Sequence, residues 1–159
     1  MSTRHFTEPR SGRPLIRVAV SSFPDLPASV GKQPGRFVLF IAGTTAKEPE
    51  RSLVDTAKQL LRAGAVAVHC WGPSAGRLEI CFDLAAIALF QETDPVILTS
   101  SRETGSLEHA MWEGVVAIHP DDGLDDGYER VVLAIVGSEA LVRQADAYLD
   151  SGVPLLDEA

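Results

Sequence analysis

Any chemistry this chain performs has to come from a small set of side chains. The imidazoles and thiols that could hold a metal are His69, Cys70, Cys81, His109 and His119. His69 and Cys70 are adjacent in a strand-like stretch, so they point to opposite faces and cannot share one tetrahedral ion. Cys70 and Cys81 read as small buried hydrophobes rather than a redox pair. Asp121, Asp122, Asp125 and Asp126 have the composition of a calcium loop, but glycines 123 and 127 and the carboxylate spacing miss the EF-hand pattern. A turn with solvated aspartates is the simpler reading, and neither a metal nor any other cofactor is expected. For nucleophilic catalysis, His119 could face Ser100 or Ser101 with Asp121 as orienting acid, yet no GxSxG elbow is present. The turn Gly43-Thr44-Thr45-Ala46-Lys47 lacks the three-glycine dinucleotide fingerprint, and no GxxxxGK[ST] stretch occurs. A P-loop enzyme is thereby excluded.

These residues need elements to position them. Residues 37–42 (FVLFIA) form a continuous apolar run closed by Gly43, as a strand buried on both faces should. Residues 49–62 carry Leu53, Val54, Ala57, Leu60 and Leu61 at helical spacing, with Pro49 in the first turn and Gly64 as the stop. A second strand is expected at 65–71, and a helix at 76–91 with Ile80, Cys81, Leu84, Ile87 and Ala88 on one face. A third strand follows at 95–99, a short helix at 106–113, a fourth strand at 115–119 and a fifth at 131–136. A helix over 139–150 closes the series, with Ser138 at its N-cap. Alternating strands and helices argue for a Rossmann-like three-layer α/β sandwich, its mostly parallel sheet holding about five strands. Only residues 120–130 separate the fourth and fifth strands, at the lower limit for a parallel crossover. The fifth strand is therefore expected to run antiparallel at a sheet edge, or else a single helical turn replaces the missing helix. Residues 1–36 read as an arm and a Pro/Gly-rich loop with a short strand at 15–20, residues 37–152 as the α/β domain, and 153–159 as a tail.

In such sheets ligands bind beyond the carboxyl ends of the strands. That rim holds Thr44 and Thr45, then Trp71 and Ser74, then Ser100, Ser101, Arg102 and Thr104, and finally His119, Asp121 and Asp122. The expected ligand-binding set is Thr44, Thr45, Trp71, Ser100, Ser101, His119 and Asp121, although polar rims are usual in this fold without a ligand.

Size and charge narrow the partners. The 159 residues suffice for one domain with a real core. The chain has no apolar run long enough for a bilayer, and residues 1–10 lack the core of a signal peptide, so a cytosolic protein is expected. Residues 1–90 hold eleven basic and seven acidic side chains, a balance of +4; residues 91–159 hold three and fifteen, a balance of −12. That field repels nucleic acid and anionic membranes and attracts basic partners or cations, although acidic faces also simply keep a protein soluble. Arg4, Arg10, Arg13 and Arg17 could touch nucleic acid. With no aromatic platform between them, a solvated tail is the expectation.

Two resemblances add to this reading. Residues 96–135, a strand ending in hydroxyls, a short helix with Leu107, Glu108, Ala110 and Trp112, and a Pro-Asp-Asp turn, together with Trp71-Gly72-Pro73, resemble a bacterial family of small uncharacterised Rossmann-like domains. That likeness covers about residues 37–150 and implies a fold but no activity. Ala42-Gly43 and Gly105-Ser106-Leu107-Glu108 are similar to motifs of nucleoside deoxyribosyltransferase-like enzymes, with the glutamate one residue early, a shift of about 100° on a helix. This second likeness implies Glu108 as a covalent nucleophile on the sugar's anomeric carbon, with Trp71 stacking on the base. Without it, Glu108 is a first-turn carboxylate facing the helix dipole after the Ser106 N-cap, and Trp112 is core packing. The expected function is binding rather than chemistry. The partner is a protein with a basic surface, or a second copy at the sheet edge. The alternatives are the N-glycosidic-bond enzyme and a sensor of a small nucleotide.

Overall fold

The computed structural model describes residues 1–8, 11–31, 35–92, 94, 96–117 and 127–151. Among them six strands make one sheet: β1 (Ser2–Thr7), β2 (Pro14–Val20), β3 (Arg36–Gly43), β4 (Ala65–Trp71), β5 (Leu98–Arg102) and β6 (Tyr128–Val136). The order is β1-β2-β6-β3-β4-β5, with every pairing parallel except β1 on β2. The helices are α1 (Leu26–Val30), α2 (Glu50–Ala63), α3 (Ala75–Leu89), α4 (Leu107–Trp112) and α5 (Glu139–Ser151).

Alternation along the strands builds two cores. Ile16, Val18 and Val20 join Phe37, Leu39, Ile41, Val132 and Ala134 on the face covered by α1, α2 and α3. Leu15, Val38, Phe40, Val131, Leu133 and Ile135 occupy the other face, beneath α4 and α5. The fold is the expected three-layer α/β sandwich with a mostly parallel sheet.

Several elements differ from expectation. Residues 131–136 are neither antiparallel nor at an edge; β6 lies between β2 and β3, parallel to both. The crossover limit does not apply, because the expected strand at 115–119 is absent over its described part. Glu113–Ala117 instead forms a π-helical turn continuing α4, so the whole span from Arg102 to Tyr128 is available for the return. The antiparallel edge is β1, where an arm was expected. It is held by its ladder to β2 and by Arg4, whose guanidinium meets Asp146 and Asp150 of α5. Residues 23–36 are not wholly a loop: Phe23–Asp25 is a 3-10 turn leading into α1, and Phe23, Leu26 and Val30 are buried. The third strand comes three residues late, as Leu98–Arg102, because an edge strand with a polar sequence carries no apolar signal.

The parallel strands lie closely together at their carboxyl ends. Gly43 ends β3 at φ +134°, where a Cβ would run into the backbone carbonyl oxygen of Val136 on β6. Only glycine combines that backbone angle with that approach.

Candidate functional site

The described rim residues take separate partners. Thr44 is exposed, and its hydroxyl accepts from the Ala46 amide. Thr45 is buried with its hydroxyl unpartnered, and its carbonyl and that of Glu48 accept from Arg77, which pins this loop to α3. Ser101 turns away from the other face and donates to Glu79 of α3, as Thr99 does to Asp83, both at 2.5 Å. Trp71 is half-buried on the α4 side, its indole N–H without a partner. His119 and Asp121, with Asp122, Asp125 and Asp126, lie outside the described residues.

Ser100 does meet an imidazole, but that of His69. The Oγ lies 2.6 Å from His69 Nδ1 across the β4–β5 pair, in the register that sets His69 opposite Ser100. Strand order could point to this pair, since His69 lies in one expected strand and Ser100 just past the end of its neighbour. The ring is 4% exposed, packs tilted against Phe40 at 5.7 Å between ring centres and lies under the π-helical turn, where Gly114 leaves room for it. Burial lowers the His69 pKa below the ordinary imidazole value, against a smaller opposing pull from Glu113. His69 is thus neutral near pH 7, and its Nε2 has no partner. The pair resembles the first two members of a catalytic triad, but no carboxylate among the described residues orients the ring through Nε2.

A second polar group sits beside it. Glu113 lies 2.6 Å from Arg102 Nε and 3.1 Å from His109 Nε2, and His109 stacks against Trp112. This clamp joins β5 to α4 and its π-helical extension. Glu108 is one turn away, half-buried, with its carboxylate accepting from Gln144 of α5 at 2.8 Å. Ser106 is the N-cap of α4, its Oγ accepting from the His109 amide. Cys70 and Cys81 are free, and burial raises both thiol pKa values, as it does for inert core cysteines. Among the described residues no three His, Cys, Asp or Glu side chains converge as a metal site would require. No helix among them is long and apolar enough to cross a membrane.

The largest departure from sequence reasoning lies on α3. Its buried face is Ala75, Leu78, Cys81, Phe82 and Ala85, whereas Ile80, Leu84 and Ile87 point outward at 59%, 41% and 76% exposure. The expected shared face of Ile80, Cys81, Leu84, Ile87 and Ala88 is therefore mistaken. Apolar residues recur around the whole helix between Arg77, Glu79 and Asp83, so periodicity could not choose its inner side.

These features define a three-layer α/β domain with an apolar outer helix beside an open strand edge. The sequence profile of the family described as "Domain of unknown function (DUF7684)" matches residues 15–146, and the chain belongs to that family. The match takes in β2 and reaches into α5, a wider span than the resemblance over residues 37–150. No curated protein matches the chain.

Proposed function

We propose that this domain works by binding a protein partner through the outer face of α3, with no catalytic step of its own. The observation that carries the reading is the exposed stripe of Ile80, Leu84 and Ile87. Three large aliphatic side chains on one outward face are unusual for a surface helix, and exposed stripes of this kind mark interaction surfaces. The rim of the stripe selects the partner. Asp83, Glu92 and Asp94 are exposed around it, and no Lys or Arg occurs between Arg77 and Arg102. Arg77 itself is occupied by two carbonyls. An apolar strip edged by carboxylates fits an amphipathic segment with lysines or arginines at its borders. A second copy of the chain would set acid against acid.

The test is binding of a labelled Leu/Lys amphipathic helical peptide, followed by fluorescence anisotropy. The protein should bind it more weakly as salt rises, and the Ile80→Ser/Ile87→Ser variant should lose it while unfolding at the same temperature. Binding indifferent to salt, or equal binding by the variant, would overturn the proposal. A concentration-dependent dimer abolished by the same substitutions would assign the surface to a second copy instead. The N-glycosidic-bond alternative draws no support from Glu108, which faces α5 and lines neither of the two cavities described.

A further inference from the structure

A different feature lies at the opposite side of the sheet. β2 is followed by the 3-10 turn and α1 on one face, and its neighbour β6 by α5 on the other. Adjacent parallel strands whose connections leave to opposite faces open a crevice at their carboxyl ends, the usual ligand position in open α/β sheets. Here the crevice is a cavity of about 520 Å³, within the size range of small-molecule sites. Val20, Ile135 and Val142 give it an apolar wall, and Glu139 and Arg143 bring opposite charges to its mouth. These two residues stand one helical turn apart in α5 and are exposed. Neither is ion-paired with another described residue, although this spacing commonly pairs.

We propose that this crevice binds a free α-amino acid with an aliphatic side chain. Arg143 takes its carboxylate by a charge-assisted, two-pronged contact. Glu139 takes its ammonium, and the apolar wall takes its side chain. A nucleotide fits less well, because Glu139 would stand against its phosphate. The proposal is independent of the α3 surface, which lies at the other end of the sheet.

Calorimetric titration of the full chain tests it with four probes: L-leucine, L-leucinamide, 4-methylpentanoate and adenosine monophosphate. L-Leucine should bind with a stoichiometry of one, more tightly than either half-charged analogue. Arg143→Ala should weaken L-leucine by about tenfold or more while leaving L-leucinamide unchanged. Glu139→Gln should weaken L-leucine similarly while leaving 4-methylpentanoate unchanged. Both side chains are exposed, so unaltered thermal unfolding will certify the folded variants. No heat with L-leucine at millimolar concentration, tighter binding of adenosine monophosphate, or indifference of L-leucine to both substitutions would each overturn the assignment.

Discussion

The two edges of the sheet are built to different standards. At the β1–β2 edge Arg4, Arg13 and Arg17 each find a partner. Arg17, 3% exposed, makes two 2.8 Å contacts to Asp146 and also donates to the hydroxyl and carbonyl of Ser2, while Arg4 closes over Asp146 and Asp150. Arg13 lies over the Tyr128 ring and donates to its backbone carbonyl. The basic residues near the start of the chain thus include structural clasps. At the β4–β5 edge, by contrast, buried polar atoms go unpartnered on His69, Trp71 and Trp112, and aliphatic side chains face outward on α3. Buried polar atoms without partners are uncommon in finished cores. The contrast separates a strand edge clasped by ion pairs from one where polar atoms and aliphatic side chains are left unmatched.

Breaking the secured edge should have the largest effect. Asp146→Ala strands a buried guanidinium and is expected to cost about 3–5 kcal/mol in denaturant unfolding. A loss below about 1 kcal/mol would remove the clasp from the account of stability. On the other edge, Ser100→Ala leaves the buried His69 ring with no hydrogen-bond partner among the described residues. It should cost about 1–3 kcal/mol by the same measurement, and an unchanged midpoint would mean that the contact contributes nothing.

Acid should separate the two edges by pH. Burial works to raise the Asp146 pKa, but hydrogen bonds and charge from Arg17 and Arg4 outweigh it and hold the pKa below the ordinary value. Its contribution is complete above the unfolded carboxylate value of about 4 and is lost as pH falls through the lower folded value. The His69 pKa is also lowered, so the unfolded chain takes up a proton that the folded chain refuses. Stability should therefore fall as pH drops below about 6.5. In thermal melts across pH, His69→Gln should flatten the fall that sets in below about pH 6.5 and leave the more acidic segment to Asp146. Coincident curves for variant and parent would show that His69 does not titrate with folding. The smallest effect is local: Ser106→Ala removes the α4 cap and should cost about 1 kcal/mol in the same denaturant experiment.

The layered architecture was legible because β3, β4 and α2 have unambiguous patterns: continuous apolar runs, and Leu53, Ala57 and Leu60 at helical spacing. At β6 two patterns compete. Its run from Val131 to Val136 is as apolar as β3, which marks an interior strand, but an apparent short connection outweighed it. The error came from reading the apolar Val115-Val116-Ala117 as a strand when helical continuation was equally compatible. Polar β5 and the outward side of α3 were hidden for a related reason: hydropathy signals burial, and these elements depart from the burial pattern it assumes. The His69–Ser100 pair follows from strand register, which can be derived only after both strands are placed correctly.

The central place of β6 shapes how the chain can be completed. Both β2 and β3 expose a full row of unsatisfied amides and carbonyls until residues 128–136 slot between them. Synthesis runs from the other end, so most of the polypeptide must emerge before its middle can close. Such sequence-distant pairing slows folding, and the two waiting strand borders are where an incomplete molecule would aggregate or engage a chaperone.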